Sequence, residues 1–561
     1  MADAAAPSAL GGPSEPPPTS ARRRRSKEKA ITSRGRTIRV FAFRTAVLAW
    51  VALIVFWGFY AVDHYVQVRA LGVAEFAGPF ERYFSFDPHG LSDAISSLAG
   101  VNAAVFGIVI TVVNIIVQLS ADRYTGVARM FVQDRVNVLV AVYYVVACVV
   151  GVWVSSSLRS EYVPSITLAA MLSLTTGGLV MMAPYFGYVF WFLEPQNIID
   201  RICHDAVTRV TSGALKADEK NCFAAQADAL FALEELTDIT NNSISGKDKI
   251  IASAAVHALK DLAIAYLEVK PQASRAWFSI GPNIRQNPDF VAMDAESISN
   301  LETGRTWFEW KVMRQYLSIY NEALQSMRDI NYVIAIDTRY IGEAASKAND
   351  RQLIGLVFRF LNSYIRATLN AKDIRTAYNV FNQYRKLVEA MLAHGDHRAA
   401  ADGVRHMKYY GLVSLEMNLS FVTETVAYDL SMLAQLANEL GSPAEGDILN
   451  AFLELDGPPF VRTNDKALLG VRKAQVKLAA YYLASGQESR ARSIAEDMRA
   501  EPLERLLAIY RQLEAVENKE FWEIIDRGQN FEYMSPDQRA CLGTFFGWLN
   551  VKSPQGEPGR A

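Results

Sequence analysis

Four long apolar runs crowd into the first third of this 561-residue chain. Thr45–Val62, Leu98–Leu119, Val136–Val154 and Ile166–Leu193 contain no Asp, Glu, Lys or Arg. Each reaches the roughly 18 residues at which an uncharged helix is read as membrane-spanning. A helix inside a soluble core seldom stays free of charge for so long, so the runs predict an integral membrane protein with four spans. After Leu193 the residues become charged and amphipathic. The order of segments predicts a disordered basic tail over 1–40, a four-span transmembrane domain over 41–195 and a juxtamembrane helical region over 196–295. A helical-repeat domain over 296–550 and a short disordered tail over 551–561 follow.

The net charge of −2 excludes a general nucleic-acid binder, but it hides a local asymmetry. Ten basic residues lie between Arg22 and Arg44 against one acid, Glu28. The loop after the first run, Asp63–Asp93, reverses this, with Arg69 and Arg82 against Asp63, Glu75, Glu81, Asp87 and Asp93. The next loop is basic again, with Arg123, Arg129 and Arg135. Positive charge stays on the cytoplasmic side, so the N-terminus is expected in the cytoplasm. Four spans return the chain there, which places both termini on the cytoplasmic side of an inner (plasma) membrane. The aromatics of the outer loop, among them Phe76, Phe80, Tyr83 and Phe84, suit a segment lying on the membrane surface.

Lipid gives helices no hydrophobic reason to associate, so close packing needs small residues at helical spacing. Ala99, Ala103 and Gly107 in the second run show it. So do Ala147 and Gly151 in the third, and Ala169, Ser173 and Gly177 in the fourth. They predict a close-packed four-helix bundle. The second run also carries Thr111, Asn114 and Gln118 on one helical face. Polar groups at membrane depth need partners, so this stripe either hydrogen-bonds between helices or lines a polar path. The structural reading is favoured, because no Asp, Glu, Lys or Arg lies within a run. Pro184 is expected to kink the fourth.

The stretch Val105–Gly151 has a polar-speckled span, a short loop with a basic residue and an aromatic, and the pair Asp134-Arg135 before the next span. In this it resembles the core of a bacterial membrane protein family known as domain of unknown function 2254. A fainter echo lies over Leu233–Tyr266. The resemblance implies an inner-membrane protein and brings no activity with it.

From about Asn197 apolar residues recur at helical spacing, as in Leu230, Leu233, Leu236 and Ile239. Two proline-bearing stretches, Lys270–Asp294 and Leu455–Asn464, are read as loops. A repeat is visible in LVEAMLAHGDHRAAADGVRHM and LAAYYLASGQESRARSIAEDM, with a looser copy between them. Their turn glycines, Gly395, Gly441 and Gly486, stand 46 and 45 residues apart. The same step backwards reaches Asn349-Asp350 and then Gly304. Small and large residues alternate as in a helix–turn–helix repeat of tetratricopeptide type, but the period exceeds the ~34 residues usual there. The fold class expected is therefore all-α: a transmembrane bundle followed by a cytoplasmic α-solenoid of helical hairpins. Ala400 and Ala491 are expected at the helix crossings.

Chemistry is less legible. The four cysteines, Cys148, Cys203, Cys222 and Cys541, have neither disulfide nor zinc spacing. His394, His397 and His406 cluster in sequence beside Asp396, but the other repeat copies carry ordinary turn residues there, so no metal site is expected. No phosphate loop, dinucleotide fingerprint, nucleophile elbow or HExxH is present. No cofactor and no catalytic set are expected, and the chain reads as a non-enzyme. Its expected partners are the lipid bilayer, a protein on the cytoplasmic side and further copies of itself. The leading reading is a membrane-held helical scaffold for protein–protein interaction. The alternative is a channel or transporter whose Thr111–Asn114–Gln118 stripe lines the path.

Overall fold

A computed structural model describes residues 46–69, 88–121, 127–157, 165–216, 218–456, 465–520 and 530–551, with Phe43, Gly78, Pro79, Tyr83 and Arg527 besides. The expectations for the two terminal tails, most of the outer loop and residues 457–464 lie outside the described residues. Among those described, every regular element is a helix, so the all-α class is correct. The chain divides into two compact units that meet at Glu194 and Pro195.

Unit 1 holds α1 (Ala46–Arg69), α2 (Pro88–Ala121), the short α3 (Val127–Gln133), α4 (Arg135–Ser157) and α5 (Ser165–Phe192). α2, α4 and α5 pack on one another. The buried positions of α4, Asn137, Val140, Tyr144, Ala147, Gly151 and Val154, recur every three or four residues and so form a single stripe. Ile95, Val154, Leu168 and Met171 form its apolar centre. The central part of α1 buries nothing among the described residues. Its ring contacts, from Phe56, Trp57 and Tyr60, go to Tyr83. α5 runs unbroken through Pro184.

Among the described residues five helices are long and apolar enough to cross a membrane: α1, Asp93–Ile115, α4, Ile166–Phe192 and Lys249–Gln272. The protein is thus a multi-pass membrane protein by its helices. Lys249–Gln272 differs from the others, because half of its apolar window is buried inside unit 2. Its polar side chains are also paired, His257 with Asp337 at 2.8 Å and Lys270 with Glu309 at 2.5 Å. Helix packing accounts for its hydrophobicity.

Unit 2 begins with α6 (Pro195–Ala214), α7 (Glu219–Ser245) and α8 (Lys249–Val269). Helix pairs follow: α9 (Trp307–Ser326) with α10 (Arg328–Lys347), α11 (Arg351–Asn370) with α12 (Ile374–Ala393), and α13 (His397–Glu416) with α14 (Ser420–Glu439). Then come α15 (Glu445–Leu453), α16 (Asp465–Ala484), α17 (Glu488–Asp497) and α18 (Leu503–Glu514). Each second helix packs on the second helix of the next pair, in the order α8, α10, α12, α14, α16. The first helices do the same in the order α7, α9, α11, α13, α15, which makes two layers.

One turn chemistry makes most of these pairs. These helix ends close on a residue at positive φ, namely Lys247, Arg305, Asn349, Lys372, Gly395, Asn418, Gly441 and Gly486, whereas α9 passes into α10 through Met327 at φ −147°. The next N–H then reaches back to a carbonyl five residues earlier, as Asp396 does to Met391 at 2.9 Å and Gln487 to Tyr482 at 2.7 Å. This closes orphaned carbonyls in a left-handed cap. Where the following residue is aspartate, it also starts the next helix. Asp248, Asp350, Asp373 and Asp396 each accept the backbone N–H three residues on. Ala400 and Ala491 are fully buried.

Residues 270–294, read above as a loop, are a folded plug of short helical turns. Trp277 is fully buried there. It donates through Nε1 to the Tyr266 hydroxyl at 3.0 Å, while Trp307 Nε1 donates to the Trp277 carbonyl at 2.8 Å. The prolines sit at first helical positions, where a missing N–H costs nothing.

Candidate functional site

Several polar groups of the membrane unit are paired between its helices. Asn102 is buried on α2 and donates through Nδ2 to Thr175 Oγ1 of α5 at 3.0 Å. Tyr143 and Tyr144 of α4 donate to the Leu174 and Gly178 carbonyls of α5 at 2.7 and 2.8 Å. Asp134 accepts from the Val136 N–H at 3.0 Å and from the Tyr188 hydroxyl at 2.7 Å. It thus caps α4 and ties it to α5. Sequence reasoning passed over Asn102, which stands in the run Leu98–Leu119 beside the amides Asn114 and Gln118 that it did single out.

The small-residue expectation divides. Ala147 and Gly151 are buried. A Cβ at Gly151 would lie 3.3 Å from the Ala99 Cβ, so α2 and α4 touch there as expected. Gly177 lies under the Tyr143 hydroxyl, which a Cβ would meet at 2.6 Å. Ala169 is half-buried. Ala103, Gly107 and Ser173 are exposed instead, and a Cβ at Gly107 would meet nothing within 4 Å. The correction has a simple cause. The buried stripe of α2 runs through Ile95, Asn102 and Val109, one residue out of phase with Ala103 and Gly107. One residue turns a helix by about 100°.

Thr111, Asn114 and Gln118 share that outward face. Thr111 Oγ1 donates to its own helix, to the Gly107 carbonyl at 2.8 Å. Among the described residues, Asn114 and Gln118 have no hydrogen-bond partner. Among the described residues the stripe makes no hydrogen bond to another helix.

In unit 2 the turn glycines Gly395, Gly441 and Gly486 all adopt positive φ. The histidines beside them do not converge. His397 Nδ1 meets Ser442 Oγ at 2.8 Å, and His406 Nδ1 meets the Tyr384 hydroxyl at 3.2 Å. No group of three metal-ligating side chains is found among the described residues. Buried ion groups do occur. Lys270 bridges Glu309 and Asp350 at 2.5 and 2.6 Å, and Lys311 bridges Asp289 and Glu234 at 2.6 and 3.0 Å. Burial pushes the Glu309 carboxyl above the usual range against the pull of Lys270.

The richest constellation lies where α12, α14 and α16 present their side chains to the chain's own C-terminal segment. Arg527 enters a socket in which its guanidinium pairs with the fully buried Asp429. It donates to the Tyr378 carbonyl at 2.7 Å and lies 4.2 Å from the centre of the Tyr378 ring. Asp429 keeps a second cation, Arg385, at 3.2 Å. Phe531 stacks on Tyr428, with centroids 5.0 Å apart and planes 13° from parallel. Lys477 donates to the Phe531 carbonyl at 2.7 Å, and Lys473 pairs with Glu532 at 2.7 Å. Burial pushes the Lys477 ammonium down to about 8. The nearby Glu424 carboxyl is pushed up by the same cause. The face can thus hold a guanidinium, a flat ring, a main-chain carbonyl and a carboxylate in one line. Sequence reasoning missed it. The signal was Asp429, the one charged residue in the run Val426–Leu436.

No protein-family model, no curated protein and no solved structure matches this chain.

Proposed function

We propose that the chain is an inner-membrane protein with both termini in the cytoplasm, whose unit 2 serves there as a helical-repeat scaffold for protein–protein interaction. The observation that supports this is the α12–α14–α16 face, where residues of three successive second-layer helices hold Arg527, Phe531 and Glu532. Stacked hairpins offer extended surfaces of this kind to peptides. The basic stretch Arg22–Arg44 supports the orientation. The likeness of Val105–Gly151 to domain of unknown function 2254 lends the reading no chemistry, and no catalytic role is proposed. Affinity capture from solubilised membranes tests it, comparing the full chain with the Asp429→Arg variant. A partner held by the parent and lost from the variant agrees with the reading, and equal capture contradicts it. Reporter fusions after Asp93 and Arg201 test the orientation, and an extracytoplasmic signal after Arg201 contradicts it.

A second reading is a channel assembled from several copies. It is favoured by the outward placement of Thr111, Asn114 and Gln118, whose amides carry both donor and acceptor and so suit an identical stripe. Asn114→Cys should then form an oxidised dimer in membranes, and a strictly monomeric product contradicts it.

A further inference from the structure

We infer that the α12–α14–α16 face is a recognition site for a peptide segment bearing an arginine and, four and five residues later, an aromatic and an acid, and that Arg527, Phe531 and Glu532 are its resident competitor. The inference deepens the scaffold reading and rests on it.

The contacts are of the kind one chain makes to another. Arg527 reaches Asp429 and the Tyr378 carbonyl, which lie 98 and 149 residues away in sequence. Each interaction uses a group that any peptide of this pattern supplies. The guanidinium has a carboxylate, a carbonyl and an aromatic face, the set that distinguishes arginine from lysine. The ring has Tyr428, the carbonyl has Lys477 and the acid has Lys473.

The site also tolerates being emptied. Without Arg527 the buried Asp429 still faces Arg385 at 3.2 Å, so its carboxylate is not left without a cation. That is unlike Lys270, the shared partner of Glu309 and Asp350, whose loss would leave two carboxylates together. An ion group that exists only to hold the fold gains nothing from a spare cation. A socket that exchanges occupants needs one, because an unpaired buried charge is heavily penalised. The resident segment has further anchors besides the face: within it Asn530 N–H donates to the Lys519 carbonyl at 3.1 Å, and after it Ser535 caps the turn Pro536–Ala540. It therefore stays tethered when displaced and acts as an intramolecular competitor at high effective concentration.

The test uses the full chain in lipid nanodiscs and a fluorescent synthetic peptide of residues 527–535, followed by anisotropy. The parent should bind the peptide weakly. Arg527→Ala should bind it about tenfold more tightly, since the resident has lost its main anchor. Phe531→Ala should gain less, and a peptide with its arginine replaced by alanine should bind none of them. A folded Arg527→Ala chain that takes up the peptide no better than the parent overturns the inference. If Arg527→Ala and Phe531→Ala both unfold unit 2, the segment is a structural clasp and the inference falls as well. The scaffold reading fails separately. Peptide uptake without any captured protein keeps this site and removes the scaffold, whereas a captured protein that the peptide cannot displace removes this site alone.

Discussion

Unit 1 turns apolar side chains outward, and unit 2 turns them inward. On α4, Leu139, Val142, Val146, Val149 and Trp153 are exposed while Asn137 and Tyr144 are buried. On α12, Val380, Phe381, Leu387 and Val388 are buried and the charged residues lie at the edges or in pairs. The same secondary structure serves two solvents. In hydrocarbon, apolar exposure costs nothing and small residues with a few hydrogen bonds hold helices together. In water, burial of apolar area drives packing at about 25 cal/mol per Å², and enough stability is left over to bury whole ion groups. Among the described residues, buried charged side chains gather on one face in unit 2, around Asp429.

Variants can break this contrast. The largest effect is expected at Lys270. Lys270→Met leaves the buried Glu309 and Asp350 facing each other, and should cost unit 2 about 3–5 kcal/mol in urea unfolding of the full chain in detergent. The corresponding loss in unit 1, Asn102→Leu, removes the bond to Thr175 and should cost only about 0.6 kcal/mol, the average for hydrogen bonds between membrane helices. Equal costs would mean that the two units are stabilised alike.

Ala491→Glu comes next. Ala491 is fully buried on α17, so the variant should bury an unpaired carboxylate and cost about 3 kcal/mol, read as a lower unfolding midpoint. A chain that melts as the parent does would place Ala491 at the surface. Within unit 1, Gly151→Leu overfills the contact with Ala99 and should cost about 1–3 kcal/mol, while Gly107→Leu should leave the folded monomer unchanged. If Gly107→Leu instead weakens cross-linking between copies, the outer face of α2 is an interface and the channel reading gains.

The smallest effect is a pH dependence at Lys477. Its folded value of about 8 lies below the ordinary 10.5. Between those values the unfolded chain holds a proton that the folded chain lacks, so this group's contribution to stability rises with pH there. Below 8 its penalty is full and constant. Lys477→Met lacks the penalty, so any thermal advantage it has over the parent should shrink from pH 8 to pH 10. An advantage that stays flat would show that Lys477 carries no buried charge.

Much of this architecture is legible in the sequence. Uncharged length marks the four runs, and the glycine spacing of 46 and 45 residues falls on turns at positive φ. Asn349 and the Gly304-Arg305 step extend the same rhythm. Other turns escape notice because Lys372 and Asn418 take the left-handed conformation without a glycine to mark it. The phase of α2 is illegible for another reason. Small residues on adjacent faces look alike in a list, and only the partner helix chooses between Ala99 and Ala103. The Arg527 socket is hidden because its members lie far apart in the chain, and periodicity reports only neighbours.

The central claim is that the α12–α14–α16 face receives a partner segment. A photo-crosslinking amino acid at Phe421, exposed beside Tyr378 on that face, tests it in the native membrane. A control at Tyr409, equally accessible on α13 of the other layer, reports background. The account predicts a discrete protein adduct from position 421, absent from position 409 and abolished by excess peptide of residues 527–535. Adducts that are the same at both positions, or that persist undiminished in excess peptide, would contradict it.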